Sequence, residues 1–232
     1  CAKWNGLGLR RRVFVSSLLL LVLPGVSLAG AFEDFFLAIQ FDDESRLKSL
    51  LLKGMDPNTV NEQGFPAITY GMMQDSPNAV QVLLSSGRLN PNQPDRRGET
   101  PLMVACTLNK TEWVAALLAK GATAGEHGQW TALHNAAASG STASIELLVK
   151  SGVSVDLLSP NDTTPLMMAA REGREMAART LLRLGANPAL KNQAGYNAAG
   201  YAMKADRQEL AFEIMKKERA LRTAPLKPNK AN

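Results

Sequence analysis

A chain of 232 residues with 45% hydrophobic content is long enough to bury a sizeable core in one or two domains. Aromatics make up only 6% while Ala, Leu and Met are frequent, a mix that favours packed helices over a β-sandwich. The net charge of +5 misleads: residues 1–31 contribute +4 and 216–232 a further +5, leaving 32–215 at −4, without the basic face that a nucleic-acid binder needs.

At the N-terminus, Lys3 and Arg10, Arg11 and Arg12 precede an apolar run of 11 residues, Val13–Leu23. Pro24-Gly25 ends that run. Ser27-Leu28-Ala29 and Ala29-Gly30-Ala31 then both fit a small-x-small cleavage pattern. Residues 1–31 therefore read as a cleavable signal peptide, with the bacterial periplasm as the expected location. The run falls short of the ~20 residues that span a bilayer; an uncleaved anchor, making the protein a membrane-tethered adaptor, is the alternative. Arg11-Arg12-Val13-Phe14-Val15 resembles a twin-arginine signal, so the export route stays open. Leu28-Ala29-Gly30 is followed by Ala31 where a lipoprotein would need Cys. Because the chain opens on Cys1 and not Met, the charged head of the leader is expected to be incomplete. With Cys1 lost on cleavage, Cys106 is the only remaining thiol and forms no internal disulfide.

From residue 32 onwards the sequence repeats. With Thr131 as anchor, the equivalent positions are Pro66, Thr100, Thr164 and Asn197, and a further step back reaches Glu33. Nine residues after each anchor stands Asp42, Asp75, Asn109, Gly140, Gly173 or Asp206, all residues that tolerate the left-handed backbone of a tight helix–helix turn. Seventeen residues after it begins an apolar pair, from Leu50-Leu51 through Leu83-Leu84, Leu117-Leu118, Leu148-Val149 and Leu181-Leu182 to Ile214-Met215. Gly54, Gly87, Gly121, Gly152 and Gly185 follow most pairs, placed to end a second helix. Each unit reads as a short inner helix, a turn, an outer helix and an extended loop. One such pair cannot bury its apolar face alone, so the units must stack.

Gly98-Glu-Thr-Pro-Leu-Met-Val-Ala105, Trp130-Thr-Ala-Leu-His-Asn-Ala-Ala137, Thr163-Thr-Pro-Leu-Met-Met-Ala-Ala170 and Arg183-Leu-Gly-Ala-Asn-Pro188 resemble the ankyrin repeat. The resemblance covers about 32–217 and implies an all-α solenoid of about six helix–turn–helix units with short β-hairpin-like loops and degenerate terminal caps. The unit boundaries fall at about 32–60, 61–92, 93–125, 126–156, 157–189 and 190–217. Pro66-Ala67 and Asn197-Ala198 depart from the Thr-Pro pattern, and only His134 keeps the family's usual His. The loop Gly121–Gln129 is two residues short, so the third finger should be stunted, whereas Gly87–Asn92 carries one extra residue. Lys216-Lys217-Glu218-Arg219 gives the last unit a polar end, and 218–232 reads as a basic, disordered tail whose only expected partner is a weak contact with acidic lipid.

Catalytic sets are missing. His127 and His134 are the only histidines, and neither belongs to a nameable nucleophile–base–orienter group. The resemblance makes His134 structural, bonded to the backbone of the neighbouring loop. Cys106 stands where Ala137 and Ala170 stand and reads as a small core residue. An enzyme or thiol-redox protein using Cys106 or His127 is the alternative from another class. Phosphate-binding, metal-ligand and hydrolase motifs do not appear, so no cofactor, metal or small-molecule substrate is expected.

What remains is recognition of another protein. The resemblance implies a concave face formed by loop tips and inner helices. The residues just before each anchor, Phe65, Glu99, Trp130, Thr163 and Tyr196, are expected to project from it. Loop-tip residues Arg96, Arg97, His127, Asn161 and Gln193 and inner-helix residues Met73, Gln74, Arg171 and Lys204 complete the candidate surface. Large aromatics are what binding hot spots are built from. Trp130 and Tyr196 either serve that purpose or fill gaps left by the altered loops.

Overall fold

The computed structural model describes residues 28–126 and 128–223. Most of the expected leader, His127 and the end of the tail lie outside the described residues. Twelve helices are present among those described, and the only β-type pairing is an isolated bridge between Val60 and Pro66. The inner row consists of α1 (Leu28–Gln40), α3 (Ala67–Met73), α5 (Pro101–Thr107), α7 (Ala132–Ser139), α9 (Pro165–Arg171) and α11 (Ala198–Lys204). The outer row consists of α2 (Glu44–Leu52), α4 (Pro77–Ser85), α6 (Thr111–Ala119), α8 (Thr142–Lys150), α10 (Glu175–Arg183) and α12 (Gln208–Thr223). The six units stack into a solenoid.

The anchors start the inner helices for a chemical reason. Thr100, Thr131 and Thr164 each accept the backbone N–H three residues on, at Met103, His134 and Met167, and Pro101 and Pro165 occupy the first helical position. Asn197 departs from the threonine pattern but performs the same task, accepting from Gly200 N at 2.9 Å. Pro66 caps nothing with its side chain; Ala67 N donates instead to Thr59 O at 2.9 Å.

Each inner helix then ends in a left-handed turn. Asp42, Asp75, Asn109 and Asp206 have φ between 53° and 56°, with Gly140 at 86° and Gly173 at 64°, so all six turn positions behave as read. Gly54, Gly121, Gly152 and Gly185 likewise have positive φ. Gly87 does not: α4 stops at Ser85 with an extended Ser86 as its cap, and the longer loop absorbs the reversal.

A seven-residue helix does not persist in water, so packing must hold these elements. The first member of each apolar pair is fully buried from the second unit onwards: Leu83, Leu117, Leu148, Leu181 and Ile214. Leu102, Leu133 and Leu166 meet them from the inner row, and close-set alanines such as Ala105, Ala136 and Ala169 let adjacent units approach. Side chains also stitch neighbouring units together on the loops. Asn58 Oδ1 accepts Asn90 N, Asn92 Oδ1 accepts Thr123 N at 2.8 Å, and Asp156 accepts Asn187 N at 3.0 Å.

The two ends differ from the expectation. Helix α1 starts at Leu28, within the segment read as leader, and a cut after Ala29 or Ala31 would trim its first turn. Helix α12 runs to Thr223, beyond the boundary at 217, with Glu218 bonded to Asn197 and Arg222. Nor is the last unit purely polar at its end: Met203, Phe212 and Leu221 are more than half exposed. Met72, Cys106, Ala137 and Ala170, at the place of Met203 in earlier units, are buried by the unit stacked on them.

Candidate protein-binding surface

Four fingers share one construction. Asn61 N bonds Phe65 O, Asp95 N bonds Glu99 O, Ser159 N bonds Thr163 O and Asn192 N bonds Tyr196 O, all at 2.9–3.0 Å. In each, the first residue's side chain also accepts the N–H four residues on. The third finger is the exception. Gly128 N donates to Leu158 O at 2.7 Å, tying a stub to the next linker. The two missing residues therefore leave a notch in the concave face between fingers 95–99 and 159–163.

Trp130, Met103 and Met168 give the notch apolar walls, and Asn135, Gln129 and Glu126 supply polar groups, around about 670 Å³. Trp130 is half-buried and sits edge-on to the His134 ring at 5.4 Å, so it both fills space beside the short finger and faces the notch. Asn135 is fixed by bonds from its amide to Thr107 Oγ1 and Met103 O. Asn135 was missed from sequence, and Met168 is a buried core residue that also borders the notch. The signal is a place four residues after the anchor, shared with Tyr70, Val104 and Tyr201.

His134 lies beneath. It is fully buried; Nε2 bonds the Thr163 carbonyl at 2.8 Å and Nδ1 bonds Thr131 Oγ1 at 2.8 Å. A carbonyl only accepts, so Nε2 carries the proton and Nδ1 accepts from Thr131. Burial pushes the ring's pKa down to about 4, outweighing the raising effect of the Thr163 and Leu157 carbonyls, so it is neutral at pH 7. The histidine is structural, as the family resemblance implied.

The other candidates separate into groups. Phe65, Arg97 and Glu99 come together: the Arg97 guanidinium lies 5.7 Å from the Phe65 ring centroid and pairs with Glu99 at 2.7 Å and Asp95 at 3.1 Å. Arg96 crosses to the preceding finger and donates to Glu62 O at 2.6 Å, lying over Gly64. Gly64 has φ 86°, which side-chain-bearing residues rarely adopt, and a Cβ there would push the Arg96 side chain aside. Tyr196 is partly exposed, but Lys204 Nζ stands 3.7 Å above its ring and Tyr201 lies 5.6 Å away. Arg171 pairs with Glu172 at 3.0 Å, and Met73 is half-buried against the core. Asn161, Gln193 and Gln74 are at the surface.

Thr163 requires correction. Expected to project, it is buried and its hydroxyl has no hydrogen-bond partner. A side chain that short does not reach past its finger, and its backbone is held by Ser159 and His134. Cys106 is also fully buried, with its thiol pKa pushed up to about 12 by burial, so little thiolate exists at neutral pH. Among the described residues there is no cluster of His, Cys, Asp and Glu that could hold a metal ion.

The family model for ankyrin repeats (3 copies) matches residues 35–127 and 120–192. The chain is 30% identical over 146 residues to the human transient receptor potential cation channel subfamily A member 1, covering 59% of this chain and 13% of the channel. It is 28% identical over 178 residues to an ankyrin repeat-containing protein of Treponema pallidum, covering 74% of this chain and 58% of that one. The chain thus spans less than two thirds of either relative. Among solved structures, an ankyrin repeat domain from Acinetobacter baumannii superposes with a TM-score of 0.70 at 22% identity, over 79% of this chain and 96% of that one. At that identity the likeness speaks to the fold.

Proposed function

This chain belongs to the ankyrin-repeat family, and on that premise we propose that it is a non-catalytic module that holds another protein against its concave face in the bacterial periplasm. Ankyrin repeats generally serve as protein–protein interaction modules. The observation that carries the reading is the notch beside the third finger, an apolar recess with a polar rim in the middle of the concave surface. Its walls are preformed: Trp130 is braced by His134, and Asn135 by two hydrogen bonds. A rigid surface loses little entropy on binding. Phe65 and Tyr196 already stack with Arg97 and Lys204, which leaves Trp130 as the foremost anchor.

Affinity purification from the periplasmic fraction, with the native chain and a Trp130→Ala/Tyr196→Ala variant, tests the reading. A partner recovered by the native chain should be lost with the variant, whose helical content should be unchanged. Equal recovery by both would remove these residues from the binding site.

The periplasmic assignment rests on the leader-like composition of 1–31. Cleavage should shorten the mature protein by about 30 residues in export-competent cells. A full-length, membrane-associated product would favour the tethered adaptor instead. No helix among the described residues is long and apolar enough to cross a membrane.

A further inference from the structure

Among the described residues the first unit shows no finger. Helix α1 stands in its place, and after the proposed cut behind Ala29 or Ala31 it still runs from Gly30 or Phe32 to Gln40, longer than the other inner helices. Between it and the fingertip 61–63 lies a second cleft of about 360 Å³, towards the small end of ligand clefts at about 300–1,000 Å³. Its floor is aromatic. Phe32 packs on Phe36 at 5.1 Å, and Phe36 meets Tyr70 edge-on at 5.6 Å. Two exposed carboxylates, Glu33 and Glu62, line the same cleft, and neither has an ion-pair partner among the described residues. Asp34, next in sequence to Glu33, is by contrast paired with Arg46 at 2.7 Å.

Aromatic faces carry partial negative charge and attract an ammonium or guanidinium laid over them, while their hydrophobic surface suits the methylene stem that carries it. The two unpaired carboxylates add attraction of the same sign, which an acidic or neutral side chain would not gain. We propose that this cleft receives a lysine or arginine side chain of the protein held on the concave face, an assignment that rests on that face being the binding surface. The partner would then present a cationic residue to the first unit and an apolar one to the central notch.

Titrating the full chain, labelled at Phe and Tyr ring carbons, with N-acetyl-arginine methylamide and N-acetyl-lysine methylamide tests this by NMR. The Phe32, Phe36 and Tyr70 ring signals should shift saturably, and Glu33→Gln/Glu62→Gln should weaken the binding about fivefold. No shift, equal binding by the double variant, or equal binding of the neutral N-acetyl-norleucine methylamide would overturn the proposal. Both carboxylates are at the surface, so the double variant should keep its helical content. Trp130→Ala should leave this titration unchanged, so failure at the notch and failure here are read separately.

Discussion

Thr69 and His134 occupy the same place in their units, three residues after the anchor, and both are fully buried. His134 joins its own capping Thr131 to the Thr163 carbonyl of the next unit. Thr69 follows Pro66, which offers no capping hydroxyl, and its own hydroxyl has no partner. One position therefore serves as a lock between units four and five, while in unit two it is filled by packing alone. A repeat fixes where a side chain goes; what that side chain is worth depends on whether its neighbours can answer it.

Breaking the lock should have the largest effect. His134→Ala empties a fully buried site and removes the ring's bonds to the Thr131 hydroxyl and the Thr163 carbonyl, which keeps only the Ser159 N–H, at a cost of about 4 kcal/mol in urea denaturation. Protonating the ring should act nearly as strongly. Its folded pKa is about 4 against an ordinary 6.5, so the unfolded chain takes up the proton first. Stability from this group is complete above pH 6.5 and falls as pH drops towards 4, by about 3 kcal/mol in total. Asp156, whose carboxyl pKa is raised by burial, works in the opposite sense and should offset part of the loss. Unfolding curves between pH 7 and 4 should show this slope, and His134→Ala should flatten it.

Cys106→Ala, a change to the residue found at Ala137 and Ala170, should cost about 1 kcal/mol. The native thiol should stay unreactive to a disulfide reagent until the chain unfolds, and rapid native labelling would revive the redox reading. Smallest of all, Thr69→Val should leave stability unchanged or raise it by up to about 1 kcal/mol, since it deletes an unanswered hydroxyl while keeping the shape. A loss from Thr69→Val as large as that from His134→Ala would erase the distinction between the two units.

The sequence disclosed these units well because their turns and caps depend on local backbone chemistry. Asp42, Asp75, Asn109 and Asp206 could be named from residue type alone, since few side chains tolerate a left-handed turn. The stunted third finger was legible as a missing pair of residues. The surface was less so. Thr163 was misplaced because projection depends on side-chain length as well as register, and Tyr196 was read without the lysine above it because Lys204 belongs to the following helix. Gly87 misled because an added loop residue relieved the need for a left-handed ending. The exposed Met203 of the last described unit stands at a position that is core in earlier units and has no described unit stacked on it, which a comparison of units reveals only when burial is known.

The stitches between units join residues 28 to 37 apart in sequence, from Asn135–Thr107 to Asp42–Ala79. Each therefore closes a loop of about one repeat, and the entropy of closure is similar wherever along the chain it is incurred. Order should spread outwards from any unit that has formed, and the first and last described units, each with one described neighbour, should open first. Amide protons of α1 and α12 should accordingly exchange ahead of those in α7, whose histidine clamps the middle of the row.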